Sequence, residues 1–357
     1  MKEERNLLHM TIDRVPHSPI LFYAPFSKTA RENIISHFGL ADDVNLFDFF
    51  GMPMQHDVYP YFAIEGDPEN DFDYWRYYRD MDIKPGSFLT MDGVMHEPGS
   101  LFHFTHMVAP LRHAETVEEI NTFPISKVAP GSFEKMKAEV DALHERRLFA
   151  ECWVGSFFEA AWQIRDIERF YMDMIEAPEM CYALLDKIAE RVYMTGELAA
   201  RAGIDLIRSG DDIADQNGML MSPKVCREMI LSYHRELYRR VKSINPRIGI
   251  WYHSDGNPFC MIEDLIDIGV EILNPIQPEC MDIYEVKRRY GDSVSFDGLI
   301  GTQSTMPFGT PGDVRDTVLR IRDDFGDNGG LILSPTHVIE PEVPVENIIA
   351  FVEACKE

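Results

Sequence analysis

From about residue 148 onward the chain repeats one unit: a short β-branched or aromatic run, a polar or glycine-rich tip and, in most cases, a helical stretch. Leu148–Val154 runs into Gly155-Ser156, Ile204–Arg208 into Ser209-Gly210-Asp211-Asp212, and Ile248–Tyr252 into His253-Ser254-Asp255-Gly256. Val270–Leu273 is followed by Asn274-Pro275-Ile276-Gln277-Pro278, Ser293–Phe296 by Asp297-Gly298, and Leu331–Leu333 by Ser334-Pro335-Thr336-His337. Strand alternating with helix implies parallel strands joined by right-handed crossovers.

The connecting segments read as helices by apolar spacing and by their ends. Residues 167–174 and 178–202 carry apolar side chains every three or four positions. Pro223, after a Ser222 cap, opens a helix running to about Ser243. Residues 261–268, 282–290 and 312–325 stop at Gly269, Gly291 and Gly326. Six strands in this region, with Pro19–Ala24 and Phe88–Met91 as two more, make eight, the number that closes a (β/α)₈ barrel. The fold expected is a single α/β domain over 1–357, with N-terminal elaborations and the first strands in about 1–110 and clear βα repeats over 148–357. The polar clusters then sit at the carboxyl ends of the strands, where barrels assemble active sites. A doubly wound open sheet would carry a Gly-rich phosphate turn after its first strand, and none is present.

Composition narrows the partners. The 357 residues are 45% hydrophobic and 26% charged, enough for one large core. Lys and Arg number 34 against 60 Asp and Glu, a net charge of −26 that repels nucleic-acid phosphates and anionic lipid surfaces. The six cysteines form no Cys-x-x-Cys pair, and the amino terminus runs into polar sequence with no apolar signal core. The most apolar stretch, Leu148–Trp162, carries Glu151 and Glu159 and falls short of about 18 uninterrupted apolar residues. A soluble, cytoplasmic protein is expected, with no nucleic-acid or membrane partner.

Several tips offer chemistry. Asp211 and Asp212 could supply a general acid, hold a substrate hydroxyl or cap the next helix. His253 and Asp255, two apart at a strand exit, can face one side, as metal ligands or as a loop hydrogen bond. Asn274, Gln277 and Gln303 are candidates for substrate contact or for loop scaffolding. His103 and His106 read as structural histidines because no third ligand is near them in sequence. The aromatic segment 71–79 (Tyr74, Trp75, Tyr77, Tyr78) is expected to pack against the barrel or a partner subunit rather than to form a lid. Cys260 and Cys280, close to the His253 tip, are expected to be bystanders rather than ligands.

Taken together, Asp13-Arg14-Val15-Pro16, Gly210-Asp211-Asp212 with Gln216-Asn217-Gly218 and Ser222-Pro223, Tyr252-His253-Ser254-Asp255-Gly256-Asn257, Asn274-Pro275-Ile276-Gln277-Pro278, Asp297-Gly298 with Gln303, and Thr336-His337 with Pro341, Pro344 and Glu346-Asn347 resemble, in order, the uroporphyrinogen decarboxylase superfamily. The resemblance implies a TIM barrel. The superfamily holds the haem-pathway decarboxylase and zinc-dependent, corrinoid-linked methyltransferases, and the resemblance leans to the latter. The decarboxylase's arginine-rich Met-Arg-Gln-Ala-Gly-Arg motif is missing: the comparable place reads Ser27-Lys28-Thr29-Ala30-Arg31-Glu32. A substrate with many carboxylates would meet a −26 chain without that clamp.

In the methyltransferase branch the metal sits on a His-x-Cys tip and on a Cys at the last tip. The resemblance implies that His253 keeps its place, while Asp255 and His337 stand where the thiolates would be. Two imidazoles and a carboxylate suit zinc with an open position, and iron as well. Exchanging two thiolates for one carboxylate leaves positive charge on the ion and favours oxygen substrates. The function expected is demethylation of a small O-methylated compound onto a corrinoid. No Asp-x-His-x-x-Gly motif is present, so the corrinoid would arrive on a partner protein; a homodimer is also implied by the resemblance. The alternatives are a decarboxylase or lyase acting on a carboxylated aromatic or tetrapyrrole-like substrate, and a non-catalytic small-molecule binding protein.

Overall fold

The structure, a computed structural model, describes residues 4–53, 56–64, 72–99 and 105–357. Its centre is a curled sheet of seven parallel strands: β1 (Leu21–Phe22), β2 (Glu151–Gly155), β3 (Leu206–Gly210), β4 (Gly249–His253), β5 (Ile272–Ile276), β6 (Ser295–Ile300) and β7 (Leu331–Pro335). β2 to β7 lie side by side in chain order, and β1 pairs with β7 through Leu21 opposite Ile332. Next to β2, His56–Val58 takes the remaining position, with Asp57 bridged in parallel to Glu151. Val58 N–H reaches the Glu151 carbonyl at 2.8 Å, and Glu151 N–H reaches the His56 carbonyl at 3.1 Å. The chain has the α/β architecture of a (β/α)₈ barrel.

The predicted strand at Phe88–Met91 is not part of this barrel. Phe88–Leu89 pairs antiparallel with Met95–Pro98, which pairs antiparallel with Thr105–Val108. The reason is the tight turn between the first two strands. Gly93 takes φ +72°, where a Cβ would lie 2.2 Å from the Tyr74 ring, and a turn of this length can only fold the chain back on itself. A barrel strand needs a crossover, which Thr90–Gly93 cannot supply.

Every residue of β5, β6 and β7 is buried, because helices cover the outer face and the barrel interior the inner one. The helix Glu4–Ile12 closes one end. Its Leu7, Leu8 and Ile12 form one cluster with Leu21, Phe149, Leu206, Ile272 and Ile332, which lie at or near the starts of their strands. A fully buried leucine such as Leu8 contributes about 1.5–3 kcal/mol to this seal. The amino-terminal end is therefore plugged, and the carboxyl end is left for chemistry. The predicted helix from Pro223 is present to Ile244, but with a π turn over Cys226–Leu231. The extra residue of a π turn rotates the face that follows, and His234 lies just beyond it, fully buried.

The aromatic segment packs, as expected, against neighbouring structure. Tyr78 is fully buried and donates to the Val108 carbonyl at 3.0 Å, and Tyr74 donates to the Pro124 carbonyl at 2.8 Å. His106 lies in the Thr105–Val108 strand, and His103 lies outside the described residues.

Candidate metal centre

β4 ends in His253, and the chain then turns through Ser254 to Asp255; β3, beside it, is followed by Asp211 and Asp212. The two tips are stitched together by Asp255 N–H donating to Asp212 Oδ1 at 2.7 Å and by Asp211 N–H donating to the His253 carbonyl at 3.0 Å. This brings one donor atom each from Asp212, His253 and Asp255 within 4.8 Å of one another. His253 Nε2 lies 3.7 Å from Asp212 Oδ1 and 3.9 Å from Asp255 Oδ1. Its other ring nitrogen, Nδ1, is 2.8 Å from Asn274 Oδ1 and donates to it, which turns Nε2 toward the carboxylates.

Asp255 Oδ1 is buried and accepts no hydrogen bond, which costs free energy unless a cation meets it. Burial pushes the Asp255 carboxyl up, His253 opposes this, and Asp212 adds to it. Asp212, His253 and Asp255 thus offer two carboxylates and an imidazole, donor types that fit zinc or iron. His337 is a looser member than expected: its Nε2 lies 3.9 Å from Asp255 Oδ2, and its side chain is half exposed. The set that converges is therefore Asp212, His253 and Asp255, with His337 at the rim.

The two adjacent aspartates have opposite jobs. Asp211 is fully buried and accepts from the amides of Phe157 (3.1 Å) and Glu159 (2.9 Å) and from His234 Nε2 (2.7 Å). That carboxylate is saturated and faces away from solvent, and its bonds tie β3 to the helix Phe158–Arg165. Asp212 alone opens toward the centre.

The other expected contacts divide the same way. Asn274 is 8% exposed, and its side-chain oxygen holds His253 Nδ1. Gln277 accepts from Gly256 N–H at 2.5 Å, so it braces the β4 tip, although it also lines the adjoining cavity. Gln303 lines that cavity and accepts from Gln216 Nε2 at 3.2 Å. Cys260 is exposed, Cys280 donates weakly to Gln277, and neither joins the cluster. The cavity holds about 570 Å³ and is bordered by Asp255, His337, Asp215, Glu340 and Glu342, with no Lys or Arg among the described residues that line it.

Glu159 was not singled out from the sequence. It opens the helix after β2, mostly buried, and its carboxyl is pushed up to about 8 by burial and by the charges of Asp212, Asp211 and Asp255. It holds a proton at neutral pH beside the cluster. The signal was present: Glu151 and Glu159 are the two carboxylates in the chain's most apolar stretch. Glu151 lies in the barrel interior, 1% exposed and 3.4 Å from Arg208 Nε. Arg208 also pairs with Asp57 and lies over the Trp251 ring, so this cation is already neutralised.

The fold and the centre define a parallel α/β barrel with a carboxylate–histidine cluster at its strand tips. Residues 105–357 match the uroporphyrinogen decarboxylase (URO-D) family, and the chain belongs to that family, whose members are enzymes. It is 28% identical over 197 residues to a Pseudomonas fluorescens protein named uroporphyrinogen decarboxylase, covering 54% of this chain and 52% of that one. A protein of the same name from Alcanivorax borkumensis is 29% identical over 206 residues, covering 54% and 53%. The chain thus spans about half the length of these relatives. Among solved structures it is similar to a methyltransferase from Methanosarcina mazei, with TM-score 0.66, 15% identity and coverage of 99% and 98%, a likeness of fold. Among the described residues no helix is long and apolar enough to cross a membrane.

Proposed function

We propose that the protein is a metal-dependent methyltransferase that takes a methyl group from a small O-methylated compound and delivers it to a corrinoid carried on a separate protein. The observation that carries this reading is the orphaned, buried Asp255 Oδ1 facing His253 Nε2 and Asp212. Asp212, His253 and Asp255 would hold zinc or iron, with His337 close enough to Asp255 to join on a small movement. A bound cation supplies Lewis acidity toward the ether oxygen. The chain's own contribution is positional and protic. Asn274 fixes His253, Asp211 and His234 fix the Asp212 turn, and Glu159 keeps a proton where the oxygen departs. As the methyl carbon leaves, the oxygen retains the bond's electron pair and takes the Glu159 proton.

The acidic cavity favours a neutral or cationic substrate. Asp215, Asp255, Glu340 and Glu342 would repel a polycarboxylate, and Arg208 is already paired; both speak against the decarboxylase alternative. The test is metal removal. Dialysis against a chelator should abolish methyl transfer from methoxylated compounds to a corrinoid protein, and added zinc or ferrous iron should restore it. Full transfer by metal-free protein would overturn the proposal.

A further inference from the structure

The His253 ring belongs to a chain of hydrogen bonds that crosses the barrel interior. His253 Nδ1 meets Asn274 Oδ1 at 2.8 Å, Asn274 Nδ2 donates to Tyr23 Oη at 3.4 Å, and Tyr23 Oη donates to Asp297 Oδ2 at 3.0 Å. Asp297 also accepts from Trp251 Nε1 at 2.8 Å and from Ser334 Oγ at 2.7 Å. Five of these groups, Asn274, Asp297, Ser334, Tyr23 and Trp251, are 8% exposed or less. The members lie on or beside five neighbouring strands, β4, β5, β6, β7 and β1, so they form one polar layer beneath the cluster.

With Asp297 ionised, although burial pushes its carboxyl up against the pull of Trp251, Ser334 and Tyr23, the donor–acceptor sense of this layer is set from Trp251 outward. Trp251 Nε1 can only donate, and an ionised Asp297 can only accept. Tyr23 must then give its one proton to Asp297 and present a lone pair to Asn274. Asn274 must turn its NH₂ to Tyr23, which leaves its carbonyl facing His253. His253 must then carry a proton on Nδ1, and in the neutral ring Nε2 is the lone pair aimed at Asp212 and Asp255.

We infer that Asp297 and Tyr23 are positioning residues that set the tautomer of His253 through Asn274, and so prepare its Nε2 as a ligand. Neither touches the cluster. The inference deepens the metal-centre reading, but the tautomer itself is a property of the metal-free protein. Partners of this kind change metal affinity by roughly 10–100-fold when removed.

The experiment uses full-length, metal-free protein with ¹⁵N-labelled histidine. Imidazole ¹⁵N–¹H spectra report which ring nitrogen carries the proton, and the His253 signals are assigned by their loss in His253→Gln. The wild type should show His253 protonated at Nδ1. Tyr23→Phe leaves Asp297 its other two donors but frees the Asn274 amide to flip. It should mix the His253 tautomers and weaken zinc binding, measured by competition with a chromophoric chelator, about tenfold or more. Asn274→Asp in the Tyr23→Phe background should restore both, since a carboxylate accepts from Nδ1–H in either orientation. A Tyr23→Phe protein with unchanged tautomer and affinity would overturn the inference. If the tautomer responds as stated while the parent protein holds no zinc, the relay stands and the metal reading falls.

Discussion

Asp205 pins the amino-terminal plug to the barrel, and its removal has a calculable cost. The residue lies immediately before β3, with a side chain 2% exposed. It accepts from Arg5 Nε at 2.7 Å, His144 Nε2 at 2.8 Å and Ala150 N–H at 3.0 Å, and His9 Nε2 lies at 3.6 Å. Burial pushes its carboxyl up, but His9, the Ala150 amide, Arg5 and His144 outweigh that and hold it at about 2, against an ordinary 3.8. At 1.36 kcal/mol per tenfold change in proton affinity, that depression corresponds to about 2.5 kcal/mol of folding stability. The sign follows from a lowered carboxylate. The stabilisation is complete above the ordinary value near 4 and is lost as pH falls to about 2. Asp205→Asn keeps the shape and one acceptor but removes the charge. Urea unfolding at a series of pH values should show the variant weaker by about 2–3 kcal/mol near neutrality, with the gap closing between about pH 4 and pH 2. A gap that stays constant over that range, or one below about 0.5 kcal/mol at neutrality, would refute the reasoning.

Two further outcomes follow from the buried carboxylates near the centre. Asp211→Ala strips the acceptor from two amides and from His234, and should cost about 3–5 kcal/mol in urea unfolding. A stability loss within experimental error would mean that Asp211 is not the anchor described. In metal-free protein Glu159 keeps its proton up to about pH 8, whereas in the unfolded chain it ionises near 4.5. A raised carboxyl makes the folded state lose stability as pH rises between those values. Glu159→Gln should therefore match wild type near pH 4 and exceed it by a few kcal/mol at pH 9; equal pH profiles would exclude the burial argument.

The barrel was legible where strand and helix alternate within one crossover, from residue 148 onward, because each unit shows its own periodicity and its own stop signal. It was not legible in the first 110 residues. Phe88–Leu89 has the composition of a barrel strand, and only the Thr90–Gly93 turn, a local effect stronger than side-chain preference, shows that it forms a hairpin. His56–Val58, which fills the barrel position, is too short and too polar to be recognised without its partner Glu151. At the site, His253 and Asp255 were readable because strand exits at the carboxyl end carry chemistry. The division of labour between Asp211 and Asp212 was not, since it depends on His234, which a π turn precedes on a helix more than twenty residues downstream. The Asn274–Tyr23–Asp297 layer was equally hidden, because those groups meet only when the sheet curls and β1 comes beside β7.

The crowding of acids at the tips needs a physical account, because the chain already carries 26 excess negative charges. Asp212 and Asp255 are held together by the amide of one donating to the carboxylate of the other, and Glu159 is buried beside them. The backbone thus enforces a proximity that the charges oppose. One response is to protonate, which the raised Glu159 and Asp255 carboxyls express. Another is to bind a cation, which turns mutual repulsion into shared attraction and gives the orphaned Asp255 Oδ1 a partner. His253 Nε2, turned to the carboxylates by the Asn274 contact, lies 3.7 Å from Asp212 and 3.9 Å from Asp255. A divalent ion would draw on all three groups together. Glu159, the most strongly raised carboxyl of the group, owes its shift first to burial, which a bound ion would leave in place.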